Sequence, residues 1–329
     1  MVIWRRLLFA GVLTAVLWVA ATRECEAQTL PVAQAPTTKA EKLEFEVASV
    51  RQNKSDDKAT SGFSLDSGNL YSTVSREDVF IPSGGYFSAT NQPLWRYIVF
   101  AYKLTGTQEL ALRFNFFAGL TSNVPGWVNT ERYDIKGRVE GNPTKDQVRL
   151  MMQTLLAERF KLVVHKETRQ VPVLALELVK QGVMGSQLQP HVGGESCLVA
   201  SADSAANVPP PSTTAGGFPV ICGVIAHLPP SSPGLTSFGG RGVELGLLAS
   251  SLPTQTGMLT LPHPVIDETG LSGTFDFKLE WLPDYNTLPD ASGPTFVQAL
   301  KEQLGLKLHS KNGPVELMVL DRVEHPSAN

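Results

Sequence analysis

Residues 144–165 read TKDQVRLMMQTLLAERFKLVVH, a helix pattern that runs directly into a strand pattern. Thr144 and Gln147 have the Thr-x-x-Gln spacing of a capping box, in which both side chains bond to otherwise unpaired amides at a helix start. The apolar residues that follow recur at helical spacing and form one face: Val148, Met151, Met152, Leu155 and Leu156. This segment predicts an amphipathic helix that ends near Phe160.

Strand patterns lie on both sides of this helix. Residues 43–50 and 133–139 alternate apolar and polar side chains, as half-buried strands do. Pro93 suits the first turn of a short helix, where its missing N–H costs nothing. After the long helix, residues 161–165 and 171–178 predict a β-hairpin.

The same order of patterns returns about 142 residues later. The matched segments are 133–136 with 275–278, 144–147 with 295–298, 172–173 with 314–315, and the helical patterns 94–102 with 243–252. Asn312-Gly313 predicts the type I′ turn of a second hairpin. The sequence therefore predicts an α+β fold made of two similar units by internal duplication, each with two helices packed on a mainly antiparallel sheet. Chance similarity of two α/β units is the alternative.

Five segments follow from these patterns. Residues 43–180 are expected to form the first unit and residues 243–329 the second. Between them, residues 181–242 are rich in Pro, Gly and Ser, which predicts a surface insertion. Residues 28–42 lack periodicity and predict a flexible leader. Residues 1–27 are expected to be removed as a signal peptide.

The N-terminus has the pattern of a secretory signal peptide. Arg5 and Arg6 precede an uncharged apolar run from Leu7 to Ala21, which is shorter than the ~20 residues of a membrane span. Small residues at Cys25 and Ala27 predict cleavage after Ala27. The sequence thus predicts an exported protein, periplasmic or extracellular, and an uncleaved membrane anchor is the alternative.

The charge of the chain argues against a nucleic-acid partner. Without its first 27 residues the chain has 25 basic and 29 acidic residues, a net charge of −4, whereas nucleic-acid binding relies on a basic surface. There is no polybasic run for anionic lipid. No later stretch reaches the roughly 18 apolar residues of a membrane span, so no span is expected after signal cleavage.

Two cysteines, Cys197 and Cys222, remain after the signal peptide. A single pair in an exported protein predicts a disulfide. It would close a loop of about 25 residues, and we expect it to stabilise that loop without doing chemistry. Two free thiols are the alternative.

No segment has the spacing of an established catalytic or metal motif. The six histidines are too far apart for a local ligand pair, and the glycines of residues 240–246 do not follow a predicted strand as a dinucleotide loop must. Asp267 and Glu268 are adjacent carboxylates that could act as acid and base or bind a cation. The alternative is a turn in which Asp267 bonds to its own backbone and Gly270 adopts a positive φ. We predict no catalytic residue, no metal and no cofactor, with Asp267 and Glu268 as weak polar-site candidates.

Several blocks of the sequence, in order along the chain, resemble one protein family. The blocks are residues 45–50, 151–167, 265–276, 303–308 and 321–329. They resemble the soil-associated, acidobacterial family of exported proteins of unknown function. Cys197 and Cys222 lie where members often carry a cysteine pair, whereas His263-Pro264 stands where members usually have a basic residue and Pro. Related domains are fused to sensor-like membrane metallopeptidases, so the resemblance implies an extracytoplasmic sensing or binding role.

We therefore expect a non-enzymatic envelope module that binds or senses a protein, peptide or glycan in a cleft flanked by the two units. One alternative is an extracytoplasmic hydrolase that uses Asp267 and Glu268. Another alternative is a component of a secretion or uptake assembly.

Overall fold

A computed structural model of the chain describes residues 43–62, 65, 68, 70–71, 84–114, 124–193, 217–219, 221–256, 261–284 and 290–327. The expected signal peptide, the expected leader and Cys197 lie outside the described residues.

The described residues contain six helices and twelve strands. The helices are α1 (Leu94–Ala101), α2 (Gly106–Phe114), α3 (Trp127–Thr130), α4 (Lys145–Arg159), α5 (Leu245–Thr256) and α6 (Phe296–Leu304). The strands are β1 (Val47–Asn53), β2 (Thr60–Ser61), β3 (Leu70–Tyr71), β4 (Tyr86–Pro93), β5 (Arg132–Arg138), β6 (Val163–Leu178), β7 (Leu188–Pro190), β8 (Val224–Leu228), β9 (Thr236–Val243), β10 (Val265–Asp267), β11 (Phe275–Trp281) and β12 (Leu306–Arg322).

The strands form three mostly antiparallel sheets, which confirms the predicted α+β class. The first sheet has the order β1-β5-β4-β2, the second β3-β8-β9-β11-β7 and the third β10-β6-β12. Only the β3–β8 and β10–β6 pairs of the described strands are parallel. Helices α1 and α4 pack on the first sheet, and α5 and α6 pack on the second, because their apolar faces share a core with it.

The two larger sheets share one topology. In the first sheet β5 lies between β1 and β4, and β2 adjoins β4; in the second β11 lies between β7 and β9, and β8 adjoins β9. Each central strand is followed along the chain by a helix and a long strand, β5-α4-β6 and β11-α6-β12. Both helices begin at the predicted capping boxes, at Thr144 and Thr295. The order of central strand, helix and long strand therefore occurs twice.

Aromatic side chains stabilise the core of each of the two expected units. In the first, the buried Tyr97 hydroxyl donates to the main-chain carbonyls of Ala89 at 3.1 Å and Tyr133 at 2.9 Å, which ties α1 to β4 and β5. In the second, Trp281 makes edge-to-face contacts with Phe238 and Phe296, with ring centroids 5.4 and 5.5 Å apart. Edge-to-face contacts stabilise a defined relative orientation of the rings, in addition to the effect of the apolar area that they bury.

The predicted hairpins are wrong. Residues 163–178 form the single strand β6, and Asn312-Gly313 lies inside β12 instead of in a turn. The two strands pair antiparallel from Leu306 opposite Leu178 to Arg322 opposite Val163. We call this pair the ribbon.

The ribbon connects the two cores, and for this reason the local sequence patterns did not predict its two continuous strands. Val164 and Leu320 pack with the first core, whereas Leu176 and Leu306 pack with the second. Between these ends the ribbon carries exposed polar residues such as Thr168. In the sequence alone, such a polar stretch has the composition of a turn. Gly313 is needed there for packing, because an added Cβ would lie 2.9 Å from side-chain atoms of Ile266 and Val173.

Residues 181–242, expected to be a surface insertion, contribute strands to the second sheet. β7 and β8 lie in this range and β9 begins in it, and β7 and β9 flank β11. Residues 194–216 lie outside the described part of the chain.

Candidate functional site

Helix α2 begins with a third capping box, at Thr105 and Gln108. The Gln108 amide donates to Thr105 Oγ1 at 3.3 Å, and the Thr105 amide donates to Gln108 Oε1 at 2.9 Å. Gln108 Nε2 also donates to the main-chain carbonyl of Glu316 in β12 at 3.2 Å. One buried side chain therefore joins the start of α2 to the ribbon.

Two cavities meet at this contact, and we call them together the cleft. The larger has a volume of about 510 Å³ and the smaller about 250 Å³. Thr105, Gln108 and Glu316 line both. The larger is also lined by Tyr102, Lys103, Leu104, Val164, His165, Lys166 and Met318. The smaller is also lined by Thr107, Gly246, Ser250, Pro264, Val265, Ile266, Asp267, Pro314 and Val315.

The smaller cavity depends on a close approach of α2 to α5. A Cβ on Gly106 would lie 2.7 Å from the Ser250 carbonyl oxygen and 2.8 Å from Thr254 Oγ1, closer than real Cβ contacts. Only glycine fits at this crossing. A Cβ on Gly246, by contrast, would have no atom within 4 Å, so α5 opens into the cavity there.

The basic side chains of the larger cavity are paired with carboxylates. Lys166 Nζ is 2.9 Å from Glu316 Oε1, Lys103 Nζ is 3.2 Å from Asp146 Oδ2, and His165 Nδ1 is 2.8 Å from Asp321 Oδ1. The walls also include the apolar side chains of Leu104, Val164 and Met318. Such a lining suits a ligand that has both apolar and polar groups and little net charge.

Asp146 links Lys103 to the buried Arg149 of α4, whose Nη1 lies 2.6 Å from Asp146 Oδ1. Burial by itself would raise the pKa of Asp146, but the hydrogen bond from Arg149 and the charge of Lys103 outweigh it and hold this pKa below its ordinary value. The ionised carboxylate therefore stabilises the fold above the unfolded-state pKa of about 3.9, and this contribution is lost as the pH falls through the folded-state pKa.

Asp146→Asn should lower the free energy of unfolding near neutral pH and have a smaller effect in acid. We expect a loss below about 1 kcal/mol because the side chain is 64 % exposed and solvent screens the pair. Urea unfolding of both proteins at about pH 7 and about pH 3 measures the difference. A difference of equal size at the two pH values would contradict this assignment.

Asp267 and Glu268, the two polar-site candidates, make contacts that build a turn and tie it to the ribbon. Asp267 Oδ1 accepts from the Thr269 amide at 3.0 Å and from its hydroxyl at 2.8 Å, and Gly270 has a φ of +69°. The alternative turn geometry is therefore present. Both carboxylate oxygens of Glu268 accept from Lys311 Nζ, at 2.8 and 2.9 Å. Asp267 also lines the smaller cavity, whereas Glu268 does not.

Asp267→Ala should destabilise the protein more than Glu268→Ala. The first change removes an acceptor of two hydrogen bonds and should cost about 1–2 kcal/mol. The second breaks a solvent-exposed ion pair and should cost less than about 1 kcal/mol. Urea unfolding of the two variants measures the difference, and the reverse order would show that the turn is not what Asp267 supports.

The start of this site carries a recognisable signal in the sequence. Thr105 and Gln108 have the same Thr-x-x-Gln spacing as the two predicted capping boxes, so the start of α2 was predictable. The contact of Gln108 with Glu316, 208 residues away, was not.

Within the described ranges, no group of three or more His, Cys, Asp or Glu side chains is arranged to hold a metal ion. No helix among the same residues is long and apolar enough to cross a membrane.

Comparison with known proteins identifies the family. Residues 96–323 match the family described as "Protein of unknown function (DUF3738)". No curated protein and no solved structure matches the chain. The matched range runs from α1 to the end of β12 and includes every residue that lines the cleft. Because the match covers more than half of its length, the chain belongs to the DUF3738 family.

Proposed function

We propose that the protein is an exported, non-enzymatic module that binds a peptide segment of a partner protein in the cleft. The observation that carries this proposal is the lining of the smaller cavity, to which both expected units contribute: Thr105 and Gln108 from the first, Gly246 and Asp267 from the second. Sites where two units meet are common places for ligands.

The chemistry of the cleft favours a peptide over a charged small molecule. Lys103, His165 and Lys166 each face a carboxylate partner, so an anionic ligand would have to displace one. Two adjoining cavities lined by both polar and apolar side chains can accept successive side chains of an extended segment.

Export is part of the proposal and rests on the signal-peptide pattern of residues 1–27. The periplasm or the medium would then be the compartment. An acidobacterial origin and fusion to sensor-like metallopeptidases stay predictions from the family resemblance.

A Cys197–Cys222 disulfide is also proposed. Cys222 lies in the described part of the chain, just before β8, whereas Cys197 lies outside the described residues. An oxidising compartment would favour this pair once Cys25 has left with the signal peptide. Thiol titration of the unreduced, denatured mature protein should find no thiol, and two reactive thiols would refute the bridge.

We further propose that the two units arose by internal duplication. Support comes from the shared strand orders β1-β5-β4-β2 and β7-β11-β9-β8 and from the paired capping boxes. On this proposal the second unit begins at β7, earlier than the sequence patterns indicated.

Filling the smaller cavity tests the binding proposal. Peptides are first selected from a random phage-displayed library on the purified chain. Gly246→Trp should then weaken their Kd at least about tenfold, because position 246 lines the cavity and has open space for a side chain. Val297→Trp on α6, where Val297 is 57 % exposed, is the matched control and should leave the Kd unchanged.

Three outcomes would overturn the proposal. Selected peptides could bind Gly246→Trp as tightly as the parent, which would place their site elsewhere. A glycan could bind where no peptide does. Turnover of a substrate that is abolished by Asp267→Ala in a stable protein would favour the hydrolase alternative, which the contacts of Asp267 with Thr269 and of Glu268 with Lys311 do not favour.

A further inference from the structure

One edge of the ribbon is open along much of β6. The Leu174 amide donates to the Pro264 carbonyl at 2.8 Å, and the Glu268 amide donates to the Leu176 carbonyl at 2.9 Å. Even-numbered residues of β6 therefore direct their main-chain groups away from β12. β10 pairs with this edge only at residues 174–176. Among the described residues, no other strand pairs with it.

The open part of this edge runs from Val164 to Gln170. The register with β12 has no shift along these residues, so Lys166, Thr168 and Gln170 also direct their amides and carbonyls outward. All three residues are exposed. An exposed row of outward main-chain groups is a template on which another strand can pair.

We propose that the protein forms a dimer in which the β6 edges of two copies pair antiparallel about a twofold axis at Thr168. Lys166 then pairs with Gln170 of the second copy, and Thr168 pairs with its own counterpart. Because these residues direct their main chains outward, each pair exchanges both of its N–H···O bonds. A self-complementary contact of this kind closes at two copies.

The charges along β6 select this register. With Thr168 at the axis, Glu167 of each copy lies opposite Arg169 of the other, in a pair whose side chains are close because the main chains do not bond there. Moving one copy by two residues places Glu167 opposite Glu167, or Arg169 opposite Arg169. Moving it by four places Lys166 opposite Lys166, or Thr168 opposite Pro172, which has no N–H to donate. Like charges directly opposite each other destabilise a strand pair.

Glu167 and Arg169 are also paired within each copy. Arg169 Nε is 2.8 Å from Glu167 Oε1, and both side chains are partly exposed. In the dimer the two internal pairs meet at the axis and form one network of alternating charge. Such a network stabilises more than an isolated surface ion pair does.

The second copy would extend the cleft. Val164, His165 and Lys166 line the larger cavity. Gln170 of the second copy lies opposite Lys166 and on the same face of the sheet, so it is placed beside this cavity. Each copy thus contributes a residue next to the ligand site of the other. The pairing itself does not depend on what the cleft binds.

Sedimentation of the purified chain tests the dimer. The parent should be a monomer at about 1 μM and a dimer at about 1 mM, because a contact limited to one strand edge is small and weak. Glu167→Arg would place arginines opposite arginines at the axis and should weaken the dimer Kd at least about tenfold. Adding Arg169→Glu to this variant should restore the Kd, because the internal and the intermolecular pairs both return.

Glu324→Arg is the matched control. Glu324 also pairs with an arginine two residues away, Arg322 Nε at 2.8 Å, but it lies beyond the end of β12. Its reversal should leave the dimer Kd unchanged. Equal effects of Glu167→Arg and Glu324→Arg would refute pairing through β6.

A second pair of variants tests the main-chain bonds. Thr168→Pro removes an outward N–H and no bond between β6 and β12, so it should weaken the dimer, whereas Thr168→Ala should not. Hydrogen exchange of the parent needs no variant: the amides of Lys166, Thr168 and Gln170 should exchange more slowly at about 1 mM than at about 1 μM. A parent that stays monomeric at about 1 mM, or shows no such protection, would overturn the proposal.

Discussion

Asp276→Ala should lower the free energy of unfolding by about 3 kcal/mol. The carboxylate is nearly buried, and its Oδ1 accepts hydrogen bonds from His191 at 2.7 Å and from the Gly242 amide at 2.8 Å. Alanine would leave two donors in this buried place without their acceptor. Removing one member of a buried pair costs more than the pair itself contributes, because the other member stays desolvated.

Chemical unfolding monitored by tryptophan fluorescence measures this loss, since Trp281 lies in the same sheet. Asp276→Asn is the conservative comparison and should recover most of the stability, because an amide oxygen can still accept both hydrogen bonds. Glu177→Ala, which removes a surface carboxylate near Lys307 and His309, should change little. Similar losses for Asp276→Ala and Glu177→Ala would contradict the assignment.

Gly106→Ala should destabilise the protein by about 2 kcal/mol, against the usual benefit of alanine in a helix. The added methyl group would lie 2.7 Å from the Ser250 carbonyl, and a backbone atom cannot rotate away as a side chain can. Helix α2 would have to move from α5, and the smaller cavity between them would change shape.

Gly246→Ala provides the matched comparison on the other helix of this contact. Its Cβ would have no neighbour within 4 Å, so only the helix preference of alanine remains, and we expect a gain of about 0.5 kcal/mol. Urea unfolding of the two single variants should thus give changes of opposite sign. Two changes of the same sign would show that α2 and α5 do not approach as closely as described.

Local signals determined much of the fold from the sequence alone. The capping boxes at Thr144 and Thr295 begin helices where they were predicted, and the turn at Asp267 and Gly270 has the geometry that was given as the alternative to a polar site. Residues 133–139, in which apolar and polar side chains alternate, correspond to β5. The α+β class followed from patterns of this kind. These features are predictable because capping and periodicity involve residues within about one helical turn of each other.

Tertiary structure decided the features on which the proposals and predictions rest. β6 and β12 are continuous because each spans two cores, and no local pattern shows that a polar stretch such as residues 166–170 continues a strand. Gln108 reaches Glu316 across 208 residues, and His191 reaches Asp276 across 85. The sequence by itself determined the capped helices α4 and α6 and the alternating strand β5. Only packing determined which distant side chains meet, because those contacts depend on how whole elements cross, and that is not encoded at any one position.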